Sequence, residues 1–386
     1  MRLRVITDLR DIDADAWDAL AGDDDPFVDH AFLQALEESG SVGAETGWMP
    51  CHLTVWDDAG ELVGALPFYE KSHSYGEYIF DWAWADAAMR IGLPYYPKLV
   101  SMTPLTPATG RRVLFRRGPD SGGIVAALVS GALEMARSIE ASSIHFNFLE
   151  KEERDALIVH PELMPRLTQQ FHWHNDGYGC FDDFLAALRS PNRKQIRKER
   201  RRVKEANLEV RVKRGPDLDE RDWRALAHFY RDTCRRKGSF PYLTTRFFEL
   251  LPERLGHRVV AALAYEGSRP VAGTLNFEKG AHLYGRYWGS ESDYDMLHFE
   301  LCYYQLIERA IDRGLTRFEA GAQGMHKLKR GLMPSPIHSV HWVRHPVLAG
   351  AVAEFLPREA HGTAMQIEEL GERGPFKRTE QKSPPD

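Results

Sequence analysis

Cysteine is scarce in this chain. Its 386 residues include four, Cys51, Cys180, Cys234 and Cys302, standing far apart with no CxxC pair. That excludes a disulfide-stapled scaffold, argues against structural zinc, and suits a reducing compartment. Long apolar runs are also missing, since none approaches the roughly 18 residues of a membrane span. The opening MRLRVITDLRDIDADAW lacks the apolar core of a secretory signal. A cytoplasmic protein is therefore expected. There is no excess of positive charge, with 50 Lys+Arg against 56 Asp+Glu and a net charge of −6. Any nucleic-acid or anionic-membrane partner needs a local basic patch. No G-x-S-x-G nucleophile elbow occurs, so nothing points to a covalent acyl-enzyme.

The chain has an ordinary globular composition, 43% hydrophobic and 27% charged, at a length that suits two or three domains. It also repeats. Leu62–Tyr78 (LVGALPFYEKSHSYGEY) and Val271–Tyr287 (VAGTLNFEKGAHLYGRY) align without a gap at an offset of 209, with seven of 17 positions identical. Turn residues precede each copy, Asp57-Asp58-Ala59-Gly60 and Glu266-Gly267-Ser268. A buried-strand run, a second turn and a Tyr-rich extended stretch then follow, which is a hairpin signature. Upstream of the second copy, the Val/Ala-rich run Arg258–Tyr265 reads as a buried strand. A weaker echo pairs Leu133–Phe146 with Ile307–Ala320, each a helix end, a turn and a short strand. The spacing predicts a helix over 298–313, with Phe299, Tyr303, Leu306 and Ala310 as its buried stripe and Gly314 as its stop. Each half thus reads as one α/β unit, made twice. The expected division is residues 1–165, then 166–370, then a disordered tail over 371–386.

One segment is strongly basic. Arg189–Lys204 (RSPNRKQIRKERRRVK) has nine Lys or Arg in 16 residues and one acid, Glu199. Pro191 and Asn192 suit a helix start, so a basic helix is expected over 189–206. Ile196 and Val203 are its only apolar residues, so little of it can be buried. It is either a solvated face paired with the protein's own acids or a surface for a phosphate-rich partner. A tRNA, a nucleotide-bearing donor and a lipid-linked pyrophosphate all fit the second reading.

The strings LPFYEKSHSYGEYIFDWAWADA, PYYPKL, PYLTTRFF, YGRYWGSE, LHFELCYYQLIERAI and FEAGAQGMHKLKRGLMP resemble an uncharacterised bacterial family of predicted N-acyltransferases. That family belongs to the GNAT superfamily, carries a peptidoglycan-biosynthesis label, and is similar in organisation to the Fem-type aminoacyl transferases. The resemblance spans roughly residues 25 to 358. It implies an α/β fold of mixed sheets with tandem GNAT-like domains. It places Leu283–Trp288 as a central strand that splays from its neighbour Arg317–Gly321, with the acyl donor in the splay. Acetyl-CoA users of the superfamily carry a glycine-rich pyrophosphate loop before the following helix. Here that stretch is GSESDYDML, acidic and with one glycine. This departure weakens simple acetyl-CoA use and gives weight to aminoacyl-tRNA.

The resemblance implies an N-acyltransferase that moves an acyl or aminoacyl group from acyl-CoA or aminoacyl-tRNA, as co-substrate, to an amine. The acceptor would be a cell-wall precursor or a small metabolite, and no tightly bound cofactor is implied. Acyl transfer needs a base for the amine, a group that polarises the carbonyl, and a proton path. Glu300 and His298, at the start of the predicted helix, are candidates for the base. Tyr284, Arg286, Gln323, His326, Lys327 and Arg330 are candidates for donor binding. Lys327 and Arg330, three residues apart, would form an anion clamp. Lys71, His73, Tyr75, Asp81, Trp82, Trp84 and Asp86 make an aromatic and polar stretch for the acceptor, with Trp82 and Trp84 sharing a face if extended. An interdomain interface is the other reading of that stretch. His172-x-His174 has no third ligand at a motif spacing, so no metal is expected. An alternative class is a non-catalytic protein that binds a cell-wall precursor or acylated carrier.

Overall fold

The computed structural model describes residues 1–321 and 324–377. In the second half, Val259–Glu266 is buried along nearly its whole length, as a Val/Ala-rich run should be. It turns at Gly267 (φ +59) into Arg269–Lys279, which turns at Gly280 (φ +55) into His282–Ser290. Both turns need a positive φ, which glycine adopts without a Cβ clash. With Glu209–Arg214 these strands form an antiparallel ladder. A helical stretch then runs from Leu297 to Asp312 and ends at Gly314 (φ +64), the expected stop. Its middle, Glu300–Tyr304, is a π-helical turn. The strand Arg317–Glu319 follows, parallel to His282–Ser290.

The first half has the same order of parts. Arg2–Ile6, His52–Trp56 and Leu62–Leu66 form an antiparallel ladder. Past Pro67 the chain leaves that sheet, and Tyr69–Lys71 pairs with Lys98–Ser101 in the larger one. The helix Ser121–Ser138 leads to Ser143–Leu149, which runs parallel to Lys98–Ser101. The fold is therefore α/β with mixed sheets, and its two halves repeat one order of parts.

The two units share one eleven-stranded sheet. Met164–His174 pairs with Arg317–Glu319 on one side and with Met333–Val343 on the other. Met333–Val343 also pairs with Ser143–Leu149. The chain thus returns to its first half after building the second, and a cut at 165/166 passes through the start of the shared strand. An apolar core crosses between the halves. The Phe27 ring lies 5.3 Å from Phe277 and 5.1 Å from Tyr284, both edge-on. Residues 371–377, expected in a disordered tail, have defined structure. The helix Pro346–Glu372 runs through Gly371, and Phe376 bridges to Leu188 and packs against Phe184. Residues 378–386 lie outside the described residues.

Candidate functional site

Strands His282–Ser290 and Arg317–Glu319 are in register only at His282↔Arg317, Leu283↔Phe318 and Tyr284↔Glu319. Beyond those pairs they part. The gap opens into a cleft of about 600 Å³ bounded by Gly285–Trp288, Ala320, Gly321, the helix residues His298, Cys302 and Tyr303, and the turn residues His326 and Lys327. Its far wall is the end of helix Glu220–Arg236 and the loop behind it, with Tyr230, Lys237, Phe240 and Tyr242. Tyr78 is its contribution from the first half.

Lys327, in the short 3-10 helix Met325–Arg330, is 2% exposed and donates from Nζ to the Gly321 carbonyl at 2.6 Å. No carboxylate pairs with it among the described residues. Burial brings its ammonium down to about 8. His326 Nε2 hydrogen-bonds the Tyr303 hydroxyl at 2.9 Å. His298 sits edge-on to Trp288 and Tyr303, and burial lowers its imidazole to about 4. It is neutral at physiological pH. Arg286 donates from Nη2 to the Leu105 carbonyl at 2.6 Å. The lining thus holds three cationic side chains, Lys237, Arg286 and Lys327, and no Asp or Glu.

Several expected site residues are elsewhere. Glu300 does not line the cleft. It is buried, accepting hydrogen bonds from Arg200 Nε at 3.1 Å and Gln305 Nε2 at 2.7 Å, and burial raises its carboxyl. Its bonded oxygen, Oε1, faces Arg200 of the basic helix, and Oε2 has no partner among the described residues. Arg330 forms no clamp with Lys327. Its guanidinium reaches Glu199 at 2.7 Å and lies 3.4 Å over the Phe299 ring. The buried Glu199 takes up its charge. Tyr284 points the other way, with its hydroxyl on the Asp24 carbonyl at 3.1 Å. Gln323 lies outside the described residues.

The seven residues expected to bind the acceptor do not line the cleft, although Tyr78 in the same stretch does. Lys71 is buried with Nζ 3.6 Å over the Trp48 ring, 3.4 Å from His73 Nδ1 and 3.3 Å from the Tyr75 carbonyl. Asp81 is buried against Lys98 and accepts from the Tyr95 hydroxyl at 2.7 Å. Trp82–Arg90 is a helix, so Trp82 and Trp84 do not share a face. Trp84 packs inward on His145 and His341, whereas Trp82 lies outside with Tyr75 and Phe80, and Asp86 is exposed. His172 and His174 lie on Met164–His174, where burial lowers both imidazoles. No group of three or more metal-capable side chains occurs among the described residues.

The acidic loop before the helix turns two of its carboxylates outward. Glu291 pairs with Arg269, and Asp295 with Arg202 at 2.8 Å. The basic segment is the helix Ser190–Glu205, with Ile196, Glu199 and Val203 on its buried side. Lys194, Arg197, Lys198, Arg201, Arg202 and Lys204 are exposed. Among the described residues, Lys194, Lys198 and Lys204 have no ionic partner. The sequence reading missed Lys237, Tyr78, Tyr230 and Cys234. Tyr242, Cys302 and Tyr303 stood within the family-like strings, and Tyr78 matched Tyr287 in the repeat.

Residues 8–378 match the model of the FemAB-like family, described as peptidoglycan biosynthesis/recognition. No curated protein matches the sequence. Among solved structures the chain is similar to FemX, with a TM-score of 0.54 at 14% identity, covering 92% of this chain and 100% of that one. It is also similar to L-PGS from Bacillus licheniformis, with a TM-score of 0.50 at 11% identity, covering 87% and 98%. A conserved protein of unknown function from Bacteroides thetaiotaomicron gives 0.52 at 12% identity, covering 89% and 100%. At these identities the likeness is one of fold. No helix of the described residues is long and apolar enough to cross a membrane.

Proposed function

Because the chain belongs to the FemAB-like family of peptidoglycan biosynthesis/recognition, and its fold is shared with FemX, we propose that it is an N-acyltransferase working in the cleft between His282–Ser290 and Arg317–Glu319. One observation carries this reading. The cleft lies where the two strands part, and its charged lining is entirely cationic. Such a lining favours a phosphate-bearing donor and a transition state in which the carbonyl oxygen becomes negative.

The roles follow from geometry. Lys327 is a buried cation without a counter-ion among the described residues, and it lines the splay. In a poorly solvated cleft it stabilises the oxyanion formed when the acceptor amine adds to the acyl carbon. The tetrahedral adduct must lose a proton from nitrogen. The neutral His298, beside Tyr303 and His326, accepts it. The adduct then collapses, the bond from carbon to the donor's oxygen or sulfur breaks, the leaving atom takes the proton back from His298 and departs as the alcohol or thiol, and the amide remains.

An aminoacyl-tRNA donor suits the chain better than acyl-CoA. The glycine-rich loop is absent, and the exposed cations of Ser190–Glu205 offer a face to a polyanion. The acceptor is an amine, with a cell-wall precursor as the class that the family suggests. The test incubates the whole protein with aminoacyl-tRNA or acetyl-CoA and cell-wall precursors, with mass spectrometry to find a new amide. Transfer should occur and should be lost in Lys327→Met. No transfer from either donor, or full activity in that variant, would refute the reading.

A further inference from the structure

The first half has a splay of its own, and it is closed. Lys98–Ser101 and Ser143–Leu149 pair only at Leu99↔Ile144, Val100↔His145 and Ser101↔Phe146. The space beyond is filled by the segment 102–110, in which Met102, Thr103, Leu105, Thr106 and Ala108 are all buried. The second half braces this plug, since the Thr109 amide donates to Glu319 Oε2 at 3.1 Å.

The plug also reaches the working cleft. Leu105 and Tyr78 are non-glycine residues held in the left-handed region, at φ +59 and +60. Residues of this kind persist only where their surroundings over-determine them, and they gather at functional sites. Both meet Arg286. The Leu105 carbonyl accepts from Nη2, the Tyr287 hydroxyl lies 3.3 Å from the same nitrogen, and the Tyr78 hydroxyl stands beside the guanidinium. The cation lies over the rings of Phe27 and Tyr287. No carboxylate pairs with Arg286, and Nε and Nη1 have no carbonyl or carboxylate acceptor, among the described residues. A guanidinium has five N–H donors in a planar fork that matches carboxylate and phosphate oxygens. This fork is held by the Leu105 carbonyl, and Arg286 lines the cleft.

We propose that the first half is a recognition wall rather than a second catalytic unit, and that it presents Arg286 to an anionic group, phosphate or carboxylate, of the acceptor. The proposal rests on the transferase reading for the word acceptor, but its test does not need transfer. Gly76 (φ +80), which is not in the cleft lining, packs against the Leu105 side chain, where a Cβ would stand 2.6 Å from Cδ2.

The experiment is calorimetric titration of the full chain with sodium pyrophosphate and, separately, sodium succinate, with sodium chloride at matched ionic strength as the blank. Saturable binding of at least one anion is expected, and which one binds identifies the group recognised. Arg286→Gln should weaken it at least tenfold. Arg286→Lys, which keeps the charge and loses the fork, should weaken it severalfold at an unchanged melting temperature, and it decides the matter if the Gln variant fails to fold. Undiminished binding in Arg286→Gln, or in Arg286→Lys where the Gln variant does not fold, would overturn the proposal. So would binding of neither anion by the wild type while Lys327-dependent transfer persists. Loss of transfer with intact anion binding would refute the transferase reading alone.

Discussion

Lys327→Met should make the protein more stable while it abolishes transfer. Methionine keeps most of the alkyl stem and the volume, and it removes the buried charge. The cost of that charge can be worked from its titration. Burial lowers the Lys327 ammonium from 10.5 to about 8. At about 1.4 kcal/mol per unit, holding the ammonium inside costs about 3 kcal/mol at neutral pH. Its one hydrogen bond, to the Gly321 carbonyl, returns about 1 kcal/mol. A net gain of about 2 kcal/mol is expected for the variant at pH 7. The sign of the pH dependence is fixed by the direction of the shift. Between about 8 and 10.5 the unfolded chain keeps the lysine proton that the folded chain has lost, so wild-type stability rises with pH across that window. The variant has no such group. Its advantage should therefore shrink by about 2 kcal/mol between pH 7 and pH 9.5. Urea denaturation of both proteins at the two pH values measures it. A variant destabilised equally at both would show that Lys327 is a satisfied structural residue, and the oxyanion role would fall with it.

Glu199→Ala should cost about 3–5 kcal/mol in the same urea assay, because it strands the buried Arg330 guanidinium; a loss under about 1 kcal/mol would mean that Arg330 finds another anion. Glu300→Gln should leave transfer unchanged, since Glu300 faces Arg200 rather than the cleft; a collapse of activity with the fold intact would restore it as the base. Binding of tRNA to the whole protein should weaken steeply between 50 and 200 mM salt and lose part of that slope in a Lys194, Lys198, Lys204 triple Ala variant. A flat salt response in a filter-binding assay would remove the basic helix from recognition.

The strands and turns of the second half were legible because local rules set them. Val259–Glu266 is Val/Ala-rich, and Gly267, Gly280 and Gly314 each stand at a positive φ. The sharing of one sheet by both halves was not legible. Met333–Val343 pairs with Ser143–Leu149 almost two hundred residues away, and nothing in either segment names the other. The aromatic stretch misled for a local reason. Extended periodicity put Trp82 and Trp84 on one face, but the run Trp82–Arg90 is alanine-rich and forms a helix. Lys237, in the run RRKGSF, carried no signal.

The basic helix shows what one sequence can yield when charge and period are read together. Nine cations drew attention to the exposed face, and Glu199 passed as their neighbour. Yet Ile196, Glu199 and Val203 stand at i, i+3 and i+7, on a single helical stripe. The lone acid was therefore placed among the only apolar residues, where a carboxylate is tolerated only against a buried partner. That partner is Arg330, three residues beyond Lys327. The pairing pins the helix to the turn that holds Lys327, and it takes Arg330 out of the cleft. The expected clamp failed for this reason. Two cations of one short turn met different environments, one with an acid waiting and one, among the described residues, without.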